Sequence, residues 1–198
     1  NTPMYYGKNI ITPIEPKPAS IFVSFFKKAV LNAIGLATEG MEKSFERNLW
    51  QERREPFFIS FALHSDNEDE QILEAEAFAK LAIFHKPNFK APFGIQWNDS
   101  CGNTRKPGQI SKADFLRKIL DILGTIGVPI VIKVNTSMPI ETAVEVESHP
   151  ALDGWVSSNA IAWDLVPVED RIRYFGSEIS PLEKRWDRKL FYFFGRKI

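Results

Sequence analysis

Apolar and polar positions along the chain follow two alternating periods. "EPFFISFALHS", residues 55–65, is a compact apolar run of the kind a strand buried on both faces shows. "SDNEDEQILEAEAFAKLAIFH" follows it, opening with Ser65 and acids and placing Ile72, Leu73, Ala77, Phe78 and Leu81 at helical spacing, which predicts an N-capped amphipathic helix. The alternation then repeats. "FGIQWN" predicts a strand, "SKADFLRKILDILGTIG" a capped helix, "VPIVIKVN" a strand, "PIETAVEVESH" a helix and "LDGWVSSNAI" a strand. Strand starts near Phe57, Phe93, Val128 and Gly154 are about 25 to 36 residues apart, the length of one βα unit, so a parallel α/β architecture is expected. The units show no self-similarity. Upstream, the Pro-rich "ITPIEPKPASIF" reads as a loop, and "AVLNAIGLATEG" as a short element ending at a Gly suited to a turn or helix stop. From Trp163 onward, charge and aromatics mix without a clear period. The tail "LFYFFG" is either a cover for an exposed sheet edge or an ordinary terminal helix or strand.

Two parallel architectures fit this pattern, an open doubly wound sheet and a closed (β/α)8 barrel. Each predicted strand ends on a hydrogen-bonding group: His64 and Ser65, then Asn98, then Lys133 and Asn135, then Ser158 and Asn159. Polar groups converging at strand C-termini are how a barrel builds its site. An open sheet would concentrate phosphate binding in a Gly-rich first turn, and neither G-x-G-x-x-G nor a Walker A sequence is present. The barrel type is therefore expected, with residues 1–198 as a single, partial domain.

Composition narrows the partners. The chain has 198 residues, 44% of them apolar, enough to bury a sizeable core. Lys plus Arg equals Asp plus Glu at 25 each, so no overall field draws the chain to nucleic acid or to an anionic membrane, and neither is expected as a partner. One cysteine makes no internal disulfide, and neither a signal-peptide core nor an apolar run of spanning length is visible, so a cytoplasmic location is expected. His64, His85 and His149 have no ligand spacing with acids or the cysteine, and no metal is expected. "SDNEDE" reads as a helix start, not a calcium loop.

Candidate chemistry gathers on three residue types. Cys101 lies just past a strand, among Asn98, Asp99, Ser100 and Asn103, a poor setting for an apolar filler. A thiol near its reference pKa of about 8.5 can act as a general base on a weak carbon acid; a nucleophilic role would want a His partner, and none is recognisably placed. Lys133 interrupts the apolar strand "PIVIKV", where an ammonium needs either a partner, a route to the sheet end, or a function such as stabilising a developing anion. Asn32, Asn98, Asn103 and Asn159 each offer a donor and an acceptor, the complement of a pyrimidine edge.

At these residues the chain resembles a family. "NDSCGNT" is similar to the N-x-S-C-P-N signature of dihydroorotate dehydrogenases, FMN-dependent barrel enzymes of pyrimidine biosynthesis, with Gly102 in place of the proline. "IITPIEPKP", "LNAIGLATEG", "VPIVIKV" and "DGWVSSNAI" resemble four further family segments in the same order, across most of residues 7–165. The resemblance implies that Cys101 is the base removing the C5 proton of dihydroorotate while the C6 hydride moves to the flavin. It implies that Lys133, Asn98 and Lys8 contact FMN. Asn32, Asn98, Asn103 and Asn159 would hold orotate, with the backbone of Gly35 and Leu36 at its carboxylate. A cysteine base resembles the soluble class, for which a homodimer is a possible state. The family's first strand, last two strands and Gly-rich phosphate segments have no counterpart in this reading, so the barrel is expected to be incomplete. Two other functions stay open: a cofactor-free remnant acting as a binding or structural protein, and a related flavin pyrimidine reductase.

Overall fold

A computed structural model describes residues 2–3, 21–32, 40–65, 67–99, 111–135, 137–157, 160–182 and 192–195. Among these, the chain is a mixed α/β protein with two sheets. The larger is five-stranded and parallel, in the order β1 (Thr2–Pro3), β4 (Phe57–Ala62), β5 (Phe93–Asn98), β6 (Ile130–Val134) and β7 (Gly154–Ser157). Each strand therefore neighbours the parallel strand that follows it in the chain. The crossovers carry α2 (Glu68–His85), α3 (Ala113–Gly124) and α4 (Ile140–Glu147). Because α2 packs on α3 and α3 on α4, these helices form one layer on one face of the sheet. A doubly wound sheet would reverse its strand order and cover both faces; no such reversal occurs among the described strands.

Strand periodicity explains the core. Side chains alternate between faces, and the register aligns Phe57, Ile59 and Phe61 with Phe93, Ile95 and Trp97, then Ile130 and Ile132, then Trp155 on the helix side. These positions belong to one hydrophobic cluster. Phe61 stacks on Phe78 of α2 at 4.2 Å between centroids. Each large apolar side chain so buried contributes about 1.5–3 kcal/mol. β6 begins at Ile130, two residues past the expected start, because Pro129 has no N–H for the ladder; its carbonyl instead accepts from Ile95 N at 2.7 Å.

Helix α2 forms where the spacing predicts; of the five apolar positions Phe78 is buried, Ile72, Ala77 and Leu81 pack against the core from its margin, and Leu73 faces away. Gln71, Glu74, Ala75, Phe78, Ala79 and Ala82 are buried, whereas Leu73 is exposed and Ile72, Ala77 and Leu81 are only half-buried. The helix is apolar around much of its girth, with Ile83 and Phe84 also exposed, so spacing alone does not fix its phase. Its cap is Asn67, whose Oδ1 accepts from Asp69 N at 2.8 Å and Glu70 N at 3.4 Å.

The smaller sheet is antiparallel, in the order β2 (Ile21–Ser24), β3 (Ala29–Asn32), β9 (Tyr192–Gly195) and β8 (Ile161–Ala162). The sequence pattern does not reveal it. Residues 29–32 are the second arm of a hairpin, and Gly40, read as a turn or a helix stop, lies with φ 92° immediately before α1 (Met41–Glu46) and so ends no helix. "LDGWVSSNAI" splits between the two sheets, as β7 and β8. Tyr192–Gly195 of the aromatic tail form a strand, β9, between β3 and β8, which among the described residues does not pair with the parallel sheet. Leu31, Trp163 and Leu182 make a second, smaller core beside it, and α5 (Val168–Phe175) adds Phe175. β1 adds a short strand parallel to β4, through Thr2 beside Phe61 and Pro3 beside Ala62.

Candidate functional site

The face of the parallel sheet turned away from α2, α3 and α4 carries Phe58 and Ser60 of β4, Gly94, Gln96 and Asn98 of β5, Val131 and Lys133 of β6, and Val156 of β7. Its C-terminal half is polar. Ser60 is registered against Gln96, and Asn98 against Lys133. Lys133 and Asn98, singled out separately in the sequence, are thus cross-strand neighbours on one face. Asn98 is buried to 2% exposure and Lys133 is half-buried. Sequence reasoning passed over Gln96 and Ser60; the signal was Gln96 lying two residues before Asn98 on a strand, which puts both on one face.

The ends of β5 and β6 are joined through buried polar groups. Asp99 N donates to Lys133 O at 3.2 Å, joining the ends of β5 and β6. Ser111 Oγ donates to Asp99 Oδ1 at 2.7 Å, and both residues are buried. Ser111 thereby spends its hydroxyl across the loop base, and the predicted cap of α3 is replaced by Lys112, which makes no side-chain cap. The segment 100–110 between them, with Cys101 and Asn103, lies outside the described residues, as do Lys8, Gly35, Leu36 and Asn159. Asn32 ends β3, paired with Ile21 and Tyr192, in the smaller sheet.

At the end of β4 the backbone amides of both expected residues, His64 and Ser65, are engaged. Glu74 of α2 reaches the strand terminus, where its carboxylate accepts from His64 N at 2.6 Å and Ser65 N at 3.1 Å. Burial pushes its pKa up; the two amide bonds pull it down, and the nearby charge of Glu70 raises it further. Ser65 Oγ donates to Glu70, and Gln71 Nε2 donates to Ser65 O. Asn135, after β6, accepts from Ser137 N at 2.9 Å in an Asx turn leading to α4.

An open depression of about 440 Å³ lies at the opposite end of the sheet, before β6 and β7. Its polar lining is engaged structurally: Asp153 Oδ2 accepts from Ile130 N at 2.8 Å. His149 Nδ1 accepts from Ala151 N, leaving Nε2 to donate to Asp121 at 3.2 Å. Ligand sites of parallel α/β sheets gather at the carboxyl ends of the strands, so the Asn98–Lys133 end is the candidate site.

Among the described residues no group of three or more His, Cys, Asp or Glu could hold a metal ion, and no helix is long and apolar enough to cross a membrane. No family model, curated protein or solved structure matches the chain. The chemistry of the site rests on its own residues.

Proposed function

We propose that the protein is an FMN-dependent oxidoreductase of the dihydroorotate dehydrogenase type, oxidising dihydroorotate to orotate on a sheet of (β/α)8-barrel kind. The observation that carries this reading is the cross-strand pair Asn98–Lys133 at the carboxyl ends of β5 and β6. The unreversed strand order, with one helix layer, also favours a barrel-type winding over a doubly wound one.

The residues present fit the ring of the cofactor. A buried amide beside an ammonium offers a donor, an acceptor and a fixed positive charge, the complement of a flavin pyrimidine edge that becomes anionic on reduction. When bound, FMN supplies a hydride acceptor for the C6–H of dihydroorotate. Cys101 takes the C5 proton, so that loss of hydride and proton leaves the C5–C6 double bond of orotate. Lys133 would hold its positive charge beside the flavin ring, Lys8 would be a further flavin contact, and Asn32, Asn98, Asn103 and Asn159, with the backbone of Gly35 and Leu36, would orient the substrate ring. The competing reading, a binding protein without cofactor, draws on the exposure of Phe58, 51%, on the same sheet face.

One experiment separates the two. The protein, reconstituted with FMN, should show flavin absorbance and reduce an acceptor such as fumarate when given dihydroorotate. Cys101→Ala should abolish turnover and keep orotate binding, and Lys133→Met should lower turnover by about 100-fold. A protein that takes up no FMN would overturn the oxidoreductase and leave the binding protein.

A further inference from the structure

The hairpin of β2 and β3 ends in a tip that the fold does not use. Its arms are well anchored: Phe22 is registered against Leu31, Leu31 is buried in the smaller core, and the Phe22 ring lies 6.1 Å from that of Phe175. Alternation then turns Ile21 and Val23 outward, where both are exposed, on the edge strand of the sheet. The connecting turn, Phe25-Phe26-Lys27-Lys28, is held by Lys27 N to Ser24 O and Lys28 N to Phe25 O, each 3.2 Å, with Lys28 in the left-handed region at φ 52°. On this turn Phe25 is 82% exposed and Phe26 97%. Their rings meet edge to face at 6.5 Å and neither reaches the core.

Two adjacent phenylalanines held in water on a hydrogen-bonded turn form an apolar projection, which marks a contact site. The lysines say with what. Lys is depleted from the centres of protein–protein interfaces, whereas aromatic residues flanked by Lys are the composition that lies in the boundary layer of a bilayer, rings among the acyl chains and ammonium groups on anionic head groups. A balanced total charge averages over this local cluster.

We propose that the β2–β3 tip docks the protein on anionic lipid surfaces, with Phe25 and Phe26 entering the interface, Lys27 and Lys28 on head-group phosphates, and Ile21 and Val23 lying along the surface behind them. The proposal is independent of the reaction assigned to the sheet. The full chain should co-sediment with phosphatidylcholine vesicles containing phosphatidylserine, and far less with phosphatidylcholine alone. Phe25→Ser with Phe26→Ser, at positions outside the core, should weaken vesicle binding by at least about tenfold without changing the circular dichroism spectrum. Lys27→Gln with Lys28→Asn, the latter tolerant of positive φ, should weaken it by about fivefold per lysine, and added salt should mimic that loss. Phe26→Trp should gain an emission component quenched by brominated lipid. Absence of vesicle binding, or binding that survives the phenylalanine replacements, would overturn the proposal. So would self-association that those replacements abolish in a protein that ignores vesicles, which would make the tip a contact between copies.

Discussion

A carboxylate buried behind the end of a strand is stable only if its neighbours offset the loss of water, and at Glu74 they do so incompletely. It is 6% exposed and accepts two backbone N–H groups, yet burial and Glu70 together leave its pKa above the ordinary 4.5. The folded state therefore holds its proton to higher pH than the unfolded chain does. The stability this contributes is fully present below 4.5 and is lost as pH rises through the folded value. Urea midpoints measured across that range should show the advantage of wild type over Glu74→Gln narrowing as pH rises. A gap that widens would mean that the amide bonds outweigh burial. At this scale legibility depended on the strand end. Asn98 and Lys133 stand out because a polar residue closing an apolar strand is conspicuous, and the structure brings them together. Glu74 reads in sequence as one acid among several near a helix start, since only the approach of α2 to residues 64–65 buries it.

Elements were legible where one period ran long enough, and illegible where close packing or pairing decided. The βα alternation from Phe57 to Ser157 was readable because buried parallel strands are continuous apolar runs between capped helices. The phase of α2 was only partly readable: Phe78 faces in as its spacing implies, whereas the small Ala75, Ala79 and Ala82 are more deeply buried than Ile72 and Leu73. The hairpin at 21–32 escaped because its arms have four residues each and its turn lacks the Asn-Gly or Gly-Gly signal. Gly94 shows what such packing demands within a strand. A Cβ there would stand 2.5 Å from Phe58 Cε1 and 2.9 Å from Pro129 O. The half-exposed Phe58 ring can swing aside, but the Pro129 carbonyl is fixed by its bond from Ile95 N. Gly94→Ala should therefore destabilise by about 1–3 kcal/mol in denaturant titrations. Adding Phe58→Ala should recover only part, since the backbone contact persists. Full recovery in the double variant would assign the whole clash to the ring.

At the scale of the molecule, the two sheets are built by opposite rules. The parallel sheet takes its strands in chain order and rests on local βα units, whereas the smaller sheet joins residues 21–32 to 161–162 and 192–195, the most distant pairing among the described strands. That long-range pairing is why the smaller sheet left no trace in a sequence read window by window. It also makes β9 the strand on which pairing in the smaller sheet depends: among the described strands β9 alone pairs with both β3 and β8. Removing residues 192–198 should release β3 without unfolding the parallel sheet, with which β9 does not pair among the described strands. Hydrogen exchange tests this directly, because sub-global opening raises exchange only in the unit that opens. In the truncated chain the amides of Ala29–Asn32 should exchange at rates near those of exposed loops, while those of Phe93–Asn98 keep their protection. Equal loss in both segments would show one cooperative unit in place of two. Unchanged protection of residues 29–32 would show that β2 and the Leu31–Trp163–Leu182 cluster suffice to hold the hairpin without its terminal strand.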